Sequence, residues 1–214
     1  MNVLIACEES QRVCIEFRNR GHNAFSCDII ECSGGHPEWH IHNDVIPILN
    51  GNCEFKTQNG DKHDIDKWEL IIAHPPCTYL SIAGARHLYP KGILNKERYL
   101  MGVQARNFFM NFYLLFKDKK IKVCIENPTP LKIFDLPHYT QVIQPYYFGE
   151  PYKKRTCLWL HNLPQLKPTE MLDKNAIEST KIPGNWFNHG GKERQKNRSK
   201  TFIGIAKAMA EQWR

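Results

Sequence analysis

The residues able to do chemistry in this chain stand directly after short apolar runs. Cys77 closes His74-Pro75-Pro76-Cys77, which follows Leu70-Ile71-Ile72-Ala73, and Glu126-Asn127 follows Val123-Cys124-Ile125. Val3-Leu4-Ile5-Ala6 leads into the turn Cys7-Glu8-Glu9-Ser10; Asp28 ends a fourth run, and Asp44 lies in the loop beyond it. Runs of this kind read as buried strands. In a parallel α/β sheet, ligands bind beyond the carboxyl ends of the strands, so these distant residues converge on one edge. A cysteine there becomes a nucleophile when its pKa is depressed, and a carboxyl such as Glu126 can hold or deliver a proton beside it. His74 reads as no more than a strand-end hydrogen-bond donor.

Positioning these residues takes alternating strands and helices. Residues 2–6 read as a strand, and Ser10 is expected to cap a helix to about Arg18 with Val13, Cys14 and Phe17 on its apolar face. Gly21 stops that helix, and residues 23–27 give a second strand. Strand, helix, strand within thirty residues opens an α/β doubly wound, mostly parallel sheet with helices on both faces, a Rossmann-like fold. Residues 32–66 are loop-like, with a short helix before Gly51. Residues 68–73 and 121–125 are further strands. Between them runs a helix over about 96–116 with Met101, Ala105, Phe108, Phe112 and Leu115 on one face. Residues 141–148 and 156–160 read as a late β pair. A last helix spans about 202–213, with Ile205, Ala208, Met209 and Gln212 at helical spacing. The expected organisation is a core over 1–160, an irregular basic flap over 161–200, and a helix over 201–214 that returns to the core.

Composition narrows the class. The 214 residues suit one domain, and 42% apolar with 24% charged residues excludes a disordered chain. No apolar run is long enough to span a membrane, and residues 1–6 carry no basic leader, so a cytoplasmic protein without a membrane partner is expected. Its eight cysteines are then free thiols, Cys7, Cys14, Cys124 and Cys157 among them as core residues. Cys27, Cys32, His36 and His40 offer zinc-ligand types close together. The paired Cys-x-x-Cys spacing of a structural zinc site is absent, which favours a Cys- and His-rich loop without metal. The net charge of +7 favours a polyanionic partner, and Lys192, Arg194, Lys196, Arg198 and Lys200 concentrate it.

These residues resemble the cytosine-C5 DNA methyltransferase family through ordered blocks along most of the chain. Pro76-Cys77 followed by Tyr79 and Ser81 resembles that family's nucleophile block. Glu126-Asn127 resembles its Glu-Asn block, whose Glu contacts N3 of a flipped cytosine. Lys153-Lys154-Arg155 before Thr156 resembles its Arg-x-Arg strand, and Gly204-Ile205-Ala206 its closing block. The resemblance implies a cofactor, S-adenosylmethionine, held by Ala6, Glu8, Ser10, Asp28, Asp44 and Pro75, with Asp28 on the ribose and Asp44 on the adenine amino group. It implies Cys77, Glu126 and Arg155 as the catalytic set, and Ser81, Asn127 and Lys153 on the DNA. It also implies that residues 80–89, with Gly84, Arg86 and His87, form a loop closing over the flipped base.

Two features depart from the family. The first turn carries no glycine, where members place a Gly-rich turn, so Glu8 and Glu9 could instead cap the helix that follows. About forty residues, 161–200, stand in place of a large target-recognition domain. Within them Lys192 and Arg194 could hold phosphates while Trp186 or Phe187 stacks on a base. A small phage-type enzyme with short-site, relaxed or single-stranded DNA recognition is the expectation. The alternatives are a degenerate member that binds nucleic acid or nucleotide without catalysis, an enzyme acting on free cytosine nucleotide, and a base-amino methyltransferase. The last normally carries an aromatic residue after the prolines, where this chain has Cys77.

If the basic run grips phosphates, replacing Lys192, Arg194 and Lys196 with Gln weakens DNA binding almost equally for all sequences. The slope of log affinity against log salt then falls by up to about one unit per residue. Binding to an oligonucleotide panel across a salt series checks this, and an unaltered slope leaves the run as a solvated loop.

Overall fold

Val3 to Ile5, Leu70 to Ile72 and Val123 to Ile125 offer water nothing but backbone. They pay for burial by pairing that backbone in the centre of a sheet. The computed structural model describes residues 1–173, 175, 177 and 197–214. Its strands and helices, in chain order, begin with β1 (Asn2–Ala6), α1 (Arg12–Arg18), β2 (Asn23–Asp28), β3 (His40–His42) and α2 (Ile46–Leu49). A small antiparallel hairpin follows, β4 (Glu54–Lys56) and β5 (Lys62–Asp64). Then come β6 (Leu70–Ala73), α3 (Ala85–Leu88), α4 (Lys96–Leu114), β7 (Lys122–Pro128), β8 (Gln141–Ile143), β9 (Thr156–His161) and α5 (Ile203–Gln212).

The main sheet has seven strands in the order β3-β2-β1-β6-β7-β9-β8. The first five run parallel, and the chain crosses from the β3 side to the β6 side at β1, the reversal that defines a doubly wound sheet. Strand β9 is antiparallel to both of its neighbours. Successive side chains point to opposite faces. Val3, Ile5, Leu70 and Ile72 therefore meet α1 and α5 through Phe17, Ile205, Met209 and Trp213. Leu4, Ile71, Val123 and Ile125 meet α4 on the other face through Phe109 and Phe112. This is the α/β doubly wound, mostly parallel architecture expected from the sequence, with helices on both faces.

Several local expectations are corrected. Ser10 does not cap α1; Gln11 holds the N-cap position without a side-chain bond, and the Glu8 carboxylate instead accepts from the amides of Val13 (2.8 Å) and Cys14 (3.2 Å). The stretch over 32–66 contains β3 and the β4–β5 hairpin, too short for a periodic signal. Strand β6 begins at Leu70, and β7 continues through Glu126 and Asn127 because β9 gives them partners. On α4 the buried residues are Gly102, Phe109 and Phe112, while Met101 is turned outward. Gly102 faces the ring of Phe134, where an added Cβ would lie 2.0 Å from the ring carbon Cζ. Residues 163–172 run against the core: Leu166 is buried, Gln141 bonds its backbone twice, and Gln212 bonds Lys167 twice.

The four Cys and His residues weighed as zinc ligands have separate occupations. Cys27 is buried with its thiol on the Asn43 carbonyl, His36 stacks on Trp39, His40 bridges Ser26 and the Ile30 carbonyl, and the Cys32 amide bonds Gln58. All eight cysteines are free thiols. Among the described residues, no helix is long and apolar enough to cross a membrane.

Gly204 shows what the α5 docking demands. A Cβ there would lie 1.9 Å from the carbonyl oxygen of Phe148, a backbone atom with no freedom to give way. Gly204→Ala should cost about 1–3 kcal/mol, as overpacking does. Exposed Lys207→Ala in the same helix should stay within about 0.5 kcal/mol of wild type. Denaturant midpoints of the two variants check this.

Candidate active site

The site begins with the inability of Pro75 and Pro76 to donate a backbone hydrogen bond. Strand β6 stops at Ala73, level with Ala6 of β1 and Ile125 of β7. The next residue, His74, still bonds its amide to the Ala6 carbonyl (2.9 Å). Its ring lies beside Glu126, which β7 carries one residue further along than β6 reaches. His74 Nδ1 donates to Glu126 Oε2 at 3.2 Å, with the two side chains 9% and 13% exposed.

Past the prolines, Cys77 is half-buried and its carbonyl accepts from the amides of Leu80 and Ser81. The segment is then stitched to the exit of β7: the Ile82 amide donates to Thr129 O, and the Leu131 amide to Leu80 O (2.7 Å). Arg98 of α4 donates to the Thr78 carbonyl and lies over the Tyr79 ring. Residues 80–89, expected as a closing loop, are anchored by buried Leu80 and Leu88. Arg86 and His87 are on the outside.

Electrostatics at this edge are asymmetric. Burial opposes ionisation of Glu126, but the His74 hydrogen bond, the Lys154 charge and the His74 charge outweigh it and hold the carboxyl below its ordinary value. Burial raises the Cys77 thiol and the Glu126 charge raises it further; Lys154 and Arg198 pull it down without reversing the balance. At rest the pair is therefore a thiol and a carboxylate.

The structure places the remaining expected residues as follows. Asn127 is fully buried, with its amide 3.3 Å from the Pro75 carbonyl and its Oδ1 without a hydrogen-bond partner among the described residues. Pro75 and Ser81 are buried as well, and Ser81 bridges to Pro130 just past the end of β7. Arg155 is exposed and holds Thr129 Oγ1 and Tyr139 Oη, both at 3.0 Å; Lys153 is exposed. Between them Lys154, not singled out from the sequence, is the cation whose charge reaches both Cys77 and Glu126. Its Nζ donates to the Arg198 carbonyl (2.9 Å). His74 is the second residue missed. The only signal for either was indirect: a titratable residue one step past each of two paired strands, and three basic residues in a row.

At the β1–β2 end, the glycine-free turn works because Cys7 and Gln11 take left-handed backbone angles (φ 60 and 58). Gln11, fully buried, ties the turn to Ser26 and to both backbone groups of His36; Glu9 bonds the Ser33 hydroxyl. Ala6 and Ser10 are buried in this turn. Glu8 is only 4% exposed, and its carboxyl oxygens accept from two amides of α1. Asp28 and Asp44 both lie close enough to Cys7 for their charges to raise its thiol, after burial, which raises it most. Both lean on backbone amides, Asp28 on Ile30 and Ile29, Asp44 on Ile46. A depression of about 840 Å³ adjoins Asp44, lined by Asn43, Phe55 and Gln58, and another of about 410 Å³ lies by Tyr79 and Arg98. Neither is lined by Cys77 or Glu126, whose place is set by the strand ends. Trp186, Phe187, Lys192, Arg194 and Lys196 lie outside the described residues.

No protein-family model matches the chain, and no curated protein matches it in sequence. Among solved structures it is similar to a prophage-encoded E. coli protein described as a DNA modification methyltransferase, at 11% identity and a TM-score of 0.44. The match covers 80% of this chain and 52% of that one, so the chain spans about half the length of that structure.

The Glu126 environment sets a pH test. A carboxyl held below its ordinary 4.5 contributes stability that is present above that value and lost as pH falls through the lower, folded one. Glu126→Gln should therefore be less stable than wild type by about 1–3 kcal/mol at pH 7. The gap should close near pH 3. Urea midpoints at the two pH values measure it, and a gap independent of pH would contradict the ionised assignment.

Proposed function

We infer that this protein transfers a methyl group from S-adenosylmethionine to C5 of cytosine in DNA through a covalent adduct on Cys77. The observation that carries this reading is the meeting of Cys77 and Glu126 at adjacent strand ends under the charge of one lysine, Lys154. A thiol and a carboxyl so placed can act on one planar base, the sulfur at C6 and the carboxyl at N3.

The chain's residues divide the work. Cys77 gives up its proton to a solvent base and adds as thiolate to C6, so that electron density moves to C5. Glu126, protonated, donates to N3 and offsets the negative charge that addition builds on the ring. Arg155, held by Thr129 and Tyr139, and exposed Lys153 face the base oxygen and neighbouring phosphates. Ser81 and Asn127 support the two strand ends, and Trp186, Lys192 and Arg194 hold the DNA. S-adenosylmethionine supplies the methyl group. Once C5 carries it, a solvent base takes the C5 proton, that bonding pair re-forms the C5–C6 double bond, and the C6–S bond breaks to release Cys77 as thiolate.

The turn at Cys7 suits that cofactor at its nucleoside end. Left-handed Cys7 takes the backbone path that a glycine would take, and Asp28 and Asp44 stand where they can receive ribose hydroxyls and the adenine amino group. With Glu8 turned into α1, the cofactor contacts narrow to Ala6, Ser10, Asp28, Asp44 and Pro75. That same use of Glu8 favours a second reading, a fold that grips nucleic acid or nucleotide without catalysis.

The two readings part on one experiment. DNA containing 5-fluorocytosine, incubated with the protein and S-adenosylmethionine, should give a stable adduct seen by mass spectrometry, and Cys77→Ser should abolish it while melting like wild type. DNA binding with no adduct in wild type would favour the non-catalytic reading. An adduct that persists in Cys77→Ser would remove Cys77 as nucleophile.

A further inference from the structure

The two-stranded ribbon β4–β5 carries charges that its own chain does not pair. Its inner residues, Phe55 and His63, stand opposite each other in register and meet the ring of Phe25, and Phe55 also stacks on Trp68. Alternation turns Glu54, Lys56, Lys62 and Asp64 the other way, and all four are exposed. The register sets like against like, Glu54 opposite Asp64 and Lys56 opposite Lys62. Like charges directly opposite destabilise a pair of strands, and a two-stranded ribbon has little stability to lose. No ion pair among the described residues involves any of the four. Asp61, in the turn between the strands, is taken by the Asn59 amide (2.7 Å). The four line the depression by Asp44 together with Pro47 and Ile48 of α2, so the face is open.

We propose that this ribbon face docks a second copy of the chain. The pattern is its own complement: two carboxylates at one end and two ammonium groups at the other, two residues or about 7 Å along the strands. Take a two-fold axis that lies between two such faces and runs across the strands. It reverses the strand direction while keeping each strand over its counterpart. Glu54 then meets the partner's Lys56, and Asp64 meets the partner's Lys62. Symmetry repeats both contacts, as it must in a two-fold interface. An axis along the strands would instead set acid on acid, so charge selects one arrangement and opposes the other. Exposed pairs of this kind are individually weak and screened, so the dimer is one that salt takes apart. None of this depends on the methyl-transfer reading.

The test is the mass of the full chain by sedimentation across a salt series, for wild type and two sets of substitutions. One set is Lys56→Glu with Lys62→Glu; the other is Glu54→Lys with Asp64→Lys. Wild type should pair at low salt, and its dissociation constant should rise at least about tenfold between about 0.05 and 0.5 M salt. Either set alone turns every contact repulsive and should hold the protein at the mass of one chain. Mixed in equal amounts, the two sets should pair again, because one face is then wholly acidic and the other wholly basic. A wild type that stays at one chain in low salt up to about 1 mM, the weak end of specific association, overturns the proposal. So does a dimer that both sets leave intact, or a mixture that does not pair. If wild type is a single chain and the lysine reversals weaken oligonucleotide binding, the face is a phosphate contact and the proposal falls. Melting curves report whether each variant folds. Should a reversal fail to fold, Lys56→Gln with Lys62→Gln takes its place. The dimer should then weaken about tenfold or more, since its ion pairs are gone, and an unchanged dissociation constant overturns the proposal.

Discussion

Ala6, Ala73 and Ile125 stand level at the ends of three adjacent parallel strands, and the chemistry depends on that register. A parallel ladder fixes which residues leave the sheet together. Slipping β7 by one residue against β6 would turn Glu126 to the opposite face and leave His74 beside an apolar side chain. The prolines add the second constraint. By ending β6 while β9 sustains β7 for three more residues, they make a step, and the first residue beyond it on each strand is where imidazole and carboxylate meet.

The reversed strand β9 has an electrostatic consequence. Because it runs against β7, its beginning, not its end, lies at the functional edge, and the basic residues that precede it arrive beside Glu126. An antiparallel neighbour thus brings cations to an edge where the parallel strands bring carboxylates and thiols. After the His74 hydrogen bond, Lys154 offsets part of the cost of burying the Glu126 charge.

The fold was legible wherever apolar runs were continuous. Strands β1, β2, β6 and β7, the long helix α4 and the last helix follow from pattern alone, since central parallel strands are buried on both faces. What escaped the sequence was set by partners distant in the chain. Strand β3 has three residues and exists because β2 offers it an edge. On α4 the expected face holds through Ala105, Phe108, Phe112 and Leu115; Met101 alone was misplaced, and Gly102, invisible to hydrophobic periodicity, is the residue turned to Phe134. At the site, Cys77, Glu126, Asp28 and Asp44 could be named from their position after apolar runs. The pairing of His74 with Glu126 and the inward charge of Lys154 could not, because each depends on the register of one strand against another. Glu8 could be read as a cap or a ligand until its two bonds to α1 were seen.

The packing of α5 on α1 also fixes an order of events during synthesis. Arg12 bonds the Thr201 carbonyl, and Phe17, Met209 and Trp213 share one apolar cluster. Strands β1 and β2 and helix α1 therefore leave the ribosome with one face uncovered, and stay so until roughly 185 more residues are made, about 10 to 40 s at ordinary elongation rates. Over that interval the nascent chain exposes the surface that holding chaperones bind.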